Sequence, residues 1–131
     1  MNFGSWIAVG GGAAVGAWLR WGLGMALNPI FPTVPLGTLS ANLLAGFLMG
    51  IAMELVTRNV AMPTEVRLLM TTGFLGGLST FSTFDAEIVT LLSRKEYLWG
   101  SMALAGHVIG SVALTVLGIL ATRLVFPLEA A

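Results

Sequence analysis

Where this chain keeps its charges limits what it can fold into. Uncharged runs extend from Met1 to Leu19, from Trp21 to Met53, from Leu68 to Phe84 and from Tyr97 to Thr122. A helix that crosses a bilayer needs about 20 predominantly apolar residues, so the runs predict four membrane-spanning helices. The first run has no basic leader, and its apolar stretch continues past Arg20 instead of stopping at a cleavage site. It is therefore read as a span and not as a signal peptide. Composition agrees, with 9% charged residues where a soluble domain carries roughly 25%.

The same numbers exclude several function classes. Six Lys+Arg against six Asp+Glu give no net charge, and the basic residues are scattered, so a nucleic acid has no positive face to bind. Without cysteine there is no disulfide framework, thiolate metal site or thiol nucleophile, and one His cannot build a zinc site. No nucleophile, base and orienter fall into a catalytic pattern. The chain is not read as an enzyme.

The predicted helices cover about residues 4–27, 36–57, 63–92 and 97–124, one four-helix domain over residues 1–131. Asn28-Pro29 ends the first, and Phe31-Pro32-Thr33-Val34-Pro35 is a stiff loop. Pro63-Thr64-Glu65 opens the third with an acid where the helix dipole favours it, and Arg94-Lys95-Glu96 turns the chain into the fourth. The third segment is too long for one simple span. About thirty residues at 1.5 Å each would reach ~45 Å, against a hydrocarbon core of ~30 Å. A break is expected near residues 76–82, where Gly76-Gly77 disfavours helix and Ser79, Thr80, Ser82 and Thr83 are good caps. Ser82 with Asp85 resembles a capping box that restarts the helix. Hydrocarbon does not tolerate the unpaired backbone of a broken helix, so the break must face protein or a polar cavity. It either holds an ion, as such breaks do in transporters, or is a packing kink.

Side chains four residues apart stack on one helical face. The first helix stacks Gly12, Gly16, Arg20 and Gly24. Small residues there allow close approach of backbones, whereas a charge about two turns inside the end either snorkels or serves a polar site. The second helix stacks Thr38, Asn42, Gly46, Gly50 and Glu54, and Asn42 needs partners for its carbonyl and both N–H groups, in a helix or in an ion. The fourth stacks His107, Ser111 and Thr115, which either bond back to their own helix or line a hydrated track. Phe81 and Phe84 flank the break; they serve as packing, or offer positive ring edges to an anion. The inventory of donors favours an anion over a cation.

With four spans, the side holding the termini carries Arg58, Arg67 and Arg123, and the other carries Arg20, Arg94 and Lys95. Orientation follows Lys/Arg bias, and three against three predicts insertion either way up. Four helices make too few walls for a comfortable pore, and the glycine stripes ask for a partner. An antiparallel homodimer with its two-fold axis in the membrane plane follows.

At this point the residues resemble the Fluc or CrcB fluoride channels. Gly12-Ala13-Ala14-Val15-Gly16-Ala17-Trp18-Leu19-Arg20-Trp21 resembles that family's G-[GA]-x-x-G-A-x-x-R-[YW] element. Gly37 to Asn42 resembles G-T-L-x-x-N, and Thr72 to Phe84 resembles T-G-F-L-G-G-x-T-T-F-S-T-F. The departures are Ser79 for Thr, Ala45-Gly46 for Gly-Ser, and Asp85 for Ser. The resemblance implies an antiparallel, dual-topology homodimer in the inner (plasma) membrane, multi-pass, with two pores that export fluoride passively. It implies a structural sodium ion at the dimer centre, held by the Gly76 and Ser79 carbonyls. It places Asn42, Phe81, Ser82, Thr83, Phe84, His107, Ser111 and Thr115 on the fluoride pathway, with an amide N–H donated by Asn42, and Arg20 and Glu87 near the vestibules. Two other classes compete. A small proton-coupled multidrug exporter needs a membrane-embedded acid in the first helix, which carries Arg20 instead. A non-transporting membrane assembly subunit would explain the glycine stripes but not the break and the aligned donors.

Overall fold

A computed structural model describes residues 2–58 and 61–127. Helix α1 spans Phe3–Leu27 and passes through a short 3₁₀ turn, Asn28–Ile30, into the proline loop; α2 spans Leu36–Thr57. The third predicted helix is composite: α3 (Thr64–Leu68), a π-helical stretch (Leu69–Leu75), α4 (Gly76–Leu78) and, after Ser79 and Thr80, α5 (Phe81–Ser93). Helix α6 spans Tyr97–Val125, and no strand occurs among the described residues. The predicted ends agree with the observed ones to within one residue, and the break falls inside the predicted window. Helices α2 and α6 are long and apolar enough to cross a membrane. α1 matches them in length but is rich in glycine, and the third segment is divided at Ser79-Thr80.

Glycine-mediated contact holds the helices together, and the central hydrophobic cluster is correspondingly made of small residues: Ala41, Ala45 and Ala52 with Leu75 and Leu78. The most extensive pairing is α2 with α6. There a Cβ at Gly50 would lie 2.0 Å from the Thr115 carbonyl oxygen, and one at Gly118 would lie 2.1 Å from that of Phe47. The α1 stripe meets the composite helix in the same way, with a Cβ at Gly16 2.1 Å from the Phe74 oxygen. Packing and close approach explain these glycines, as their spacing predicted.

Polar groups on the same stripes pin the ends. Glu54 is buried, and its Oε1 accepts from Arg58 Nε at 2.8 Å and Arg123 Nε at 3.0 Å. Arg58 also donates through Nη1 to the Phe126 carbonyl. At the opposite end of α2, Thr38 Oγ1 donates to Glu87 Oε1 at 2.5 Å. A second cluster, Val34 with Leu91 and Ala103, seats the proline loop on α5 and α6, and Phe31 meets Trp99 edge-on at 5.2 Å.

Candidate functional site

The break is built by one side chain from a neighbouring helix. Asn42 turns its amide onto Thr80: Oδ1 accepts the Thr80 N–H at 2.7 Å, and Nδ2 donates to the Thr80 carbonyl at 3.0 Å. This two-point contact replaces helical bonds that the extended backbone of Ser79 (ψ 154°) and Thr80 (ψ 119°) cannot make. Thr80 also caps α5, with its Oγ1 accepting the Thr83 N–H at 3.2 Å. The cap is therefore Thr80 and not the expected Ser82, which with Asp85 lies inside the first two turns of α5. The helix restarts two residues earlier because Asn42 has already pulled Thr80 out of helical conformation.

The second N–H of Asn42 points at His107, with Nδ2 3.0 Å from Nδ1. Both amide hydrogens are thus directed at protein acceptors, and the interhelical alternative for Asn42 is realised. His107 is buried, and its ring lies 4.5 Å from that of Phe84, which in turn meets Phe81 edge-on at 5.6 Å. Phe84 is 6% exposed and Phe81 76%. The two rings, three residues apart, therefore divide the work: one packs inside the chain and the other looks out of it.

These residues enclose a cavity of about 350 Å³ lined by Asn42, Phe81, Phe84, His107, Ser111 and Thr115, together with Ser79 and Thr80. No charged side chain lines it. Six of the eight predicted pathway residues come together here. The Thr115 hydroxyl lies 3.0 Å from the Gly46 carbonyl and 2.9 Å from that of Ser111, so it is engaged with backbone across α2 and within α6. Thr83 instead lines two neighbouring cavities, one with Arg20, Asn28 and Thr38 (about 470 Å³) and one with Glu87, Thr90 and Arg94 (about 280 Å³). Ser82 is exposed and lines none of the three. Arg20 does not snorkel to lipid; its Nε donates to the Gly77 carbonyl at 3.1 Å, bringing a positive charge against the end of α4.

Two carbonyls at the break are freed of their usual partners. The N–H four residues beyond Gly76 is that of Thr80, which goes to Asn42, and the one beyond Ser79 is that of Thr83, which goes to the Thr80 hydroxyl. Gly76 and Ser79 are both exposed on the same stretch of chain. Uncommitted carbonyl oxygens are the ligands a hard cation takes, so the donor set fits sodium. Sequence reasoning undervalued Thr80, although a hydroxyl directly after a Gly-Gly pair, with Thr83 three residues on, was its signal.

The family profile described as CrcB-like protein, Camphor Resistance (CrcB), matches residues 7–119. The chain belongs to the CrcB family. Among its CrcB relatives, the fluoride-specific ion channel FluC of Nitrosospira multiformis is 56% identical over 116 residues, covering 88% of this chain and 91% of the relative. FluC of Thiobacillus denitrificans is 52% identical over 114 residues, covering 87% and 92%. FluC of Aromatoleum aromaticum is 53% identical over 117 residues, covering 89% of each. Membership of the CrcB family makes this a membrane protein, and its all-helical fold accords with that. The matched span contains every residue of the cavity and of the break.

Proposed function

We propose that this protein is a passive, highly selective fluoride channel of the inner membrane. All four helices span the bilayer, and two copies pair antiparallel, in dual topology, to make two pores. The observation that carries the reading is the cavity itself. Hydroxyl and imidazole groups and two ring edges surround a space with no carboxylate, in a chain about half identical to relatives named fluoride-specific channels. Fluoride is small and strongly hydrated, so it enters only where fixed donors replace its water. A larger anion fits such donors poorly.

The break supports pairing. Gly76, Ser79, Phe81, Ser82 and Thr83 are exposed on the single chain, and irregular backbone at membrane depth needs a protein or polar cover. A second copy supplies that cover, and the outward-looking Phe81 reaches its partner's pore. The Gly76 and Ser79 carbonyls would hold a structural sodium ion at the dimer centre, and when bound the ion supplies a fixed positive charge there. Arg20 and Glu87 sit beside cavities that serve as vestibules.

Purified protein in liposomes is expected to release fluoride rapidly down its gradient while retaining chloride. Equal chloride efflux, or a strict need for a proton gradient, refutes the reading. Phe81→Ile and Phe84→Ile keep much of the bulk and remove the positive edge, so flux per dimer should fall about tenfold, the scale of one aromatic contact. Gel filtration of the same samples checks that assembly survives. Because Lys and Arg divide three against three, a single cysteine introduced beside Arg94 should be labelled from both sides of the membrane. Labelling from one side alone would contradict dual insertion.

A further inference from the structure

Among the described residues, one buried side-chain nitrogen or oxygen lacks any hydrogen-bond partner: Nε2 of His107. The residue is 4% exposed and lines the 350 Å³ cavity. A buried polar atom left unpaired is costly, by about 1–3 kcal/mol, and a position that asked only for packing would be filled more cheaply by an apolar side chain.

The opposite edge of the ring explains which way this one is set. Thr80 presents a fixed donor and a fixed acceptor, so the Asn42 amide can satisfy both in only one orientation, Oδ1 to the N–H and Nδ2 to the carbonyl. That orientation aims the remaining hydrogen of Nδ2 at His107 Nδ1, 3.0 Å away. A nitrogen that accepts carries no proton, and in a neutral imidazole the proton then sits on the other nitrogen.

We infer that the Asn42–Thr80 contact fixes His107 as the Nε2–H tautomer, making the ring a preset donor to the anion that crosses the cavity. The helix break thereby dictates a donor on α6, a helix to which it is joined only through Asn42. This inference rests on the fluoride-channel reading for the identity of the anion, but the tautomer does not. Asn42 is a positioning residue in this scheme, with its own hydrogens already engaged, and His107 is the group that touches the ion.

The chain has one histidine, so protein labelled with ¹⁵N-histidine and reconstituted in liposomes gives a single imidazole pattern by NMR. The expected pattern is a protonated Nε2 and an unprotonated Nδ1, with the Nε2–H signal moving when fluoride is added and staying still with chloride. In Asn42→Asp the partner of Nδ1 becomes an acceptor, and the proton should move to Nδ1. Flux separates the two edges of the ring: His107→Gln keeps a donor near the Nε2 position, whereas His107→Asn keeps only the edge near Nδ1. Fluoride flux should drop about tenfold or more in His107→Asn, the scale of a hydrogen bond to a charged group, and by about threefold at most in His107→Gln. A wild-type Nδ1–H tautomer, or an Nε2–H signal unmoved by fluoride in protein that conducts it, would overturn the inference. An Nε2–H tautomer in protein that passes no fluoride would overturn the channel reading and the donor role, leaving the Asn42–His107 pairing standing.

Discussion

Alanine at Gly50 or Gly118 is expected to keep the folded chain from accumulating. The added Cβ would lie 2.0 Å from the Thr115 oxygen in one case and 2.1 Å from the Phe47 oxygen in the other, and real Cβ atoms essentially never come within 3.0 Å. In each case the obstacle is backbone, which no rotamer change relieves, so α2 and α6 would have to separate by about 1 Å along their closest contact. Overpacking of this kind costs ~1–3 kcal/mol and sometimes more; with rigid backbone on both sides, the upper end is expected. Gly22→Ala is the matched control, because nothing lies within 4 Å of its Cβ, and alanine is ~0.5–1 kcal/mol better than glycine inside a helix. Thermal unfolding in detergent, followed by the loss of the monodisperse peak, should show a large fall for the first two variants and none for the third. Wild-type melting of Gly50→Ala would mean that the two helices do not pack as described.

Asn42→Asp should cost more transport than any other single change in the cavity. The aspartate keeps the acceptor for the Thr80 N–H but sets an oxygen against the Thr80 carbonyl and removes the donor to His107. If ionised, it also repels an anion and must be held at membrane depth. Asn42→Ala leaves Thr80 unpaired at two points but adds no charge, so its loss should be smaller. With ~1–3 kcal/mol for each buried polar group left without a partner, fluoride flux should fall at least tenfold for alanine and further for aspartate. Flux normalised to correctly assembled protein is the measurement. Wild-type rates in both variants would show that the amide does not hold the pathway.

What the chain displays in its sequence is mostly what repeats every fourth residue. Thr38, Asn42, Gly46, Gly50 and Glu54 were legible as one face because helical geometry alone puts them there, and each makes an interhelical contact. The break was legible because thirty residues do not fit one span. Its cap was not: Ser82 with Asp85 and Thr80 with Thr83 have the same spacing, and only Asn42, thirty-eight residues away, decides between them. The partner of Arg20 is the Gly77 carbonyl, and every residue has a carbonyl, so no pattern of side chains announces it. Glu54 shows both cases, since Arg58 lies one turn along the same helix, whereas Arg123 is brought in from the far end of the chain. The π-helical stretch has no marker among Leu69, Met70, Thr71 and Thr72; it arises from how the composite helix seats on α1.

That stretch gives the third segment a property no single side chain carries. A π turn holds one more residue than the α turn it replaces, so Leu69–Leu75 behaves as an absorbed insertion. Removing one residue between 69 and 75 would let the helix become regular while leaving every cavity residue in place in the sequence. It would also rotate all that follows by about 100° about the helix axis. Thr80 would then swing away from Asn42, and Phe81 and Phe84 would exchange inward and outward aspects. The orientation of the conducting half of this helix is thus stored as a number of residues upstream of it. A deletion there acts as a change of phase, which restoring the lost length elsewhere along Leu69–Leu75 would cancel whatever residue were used.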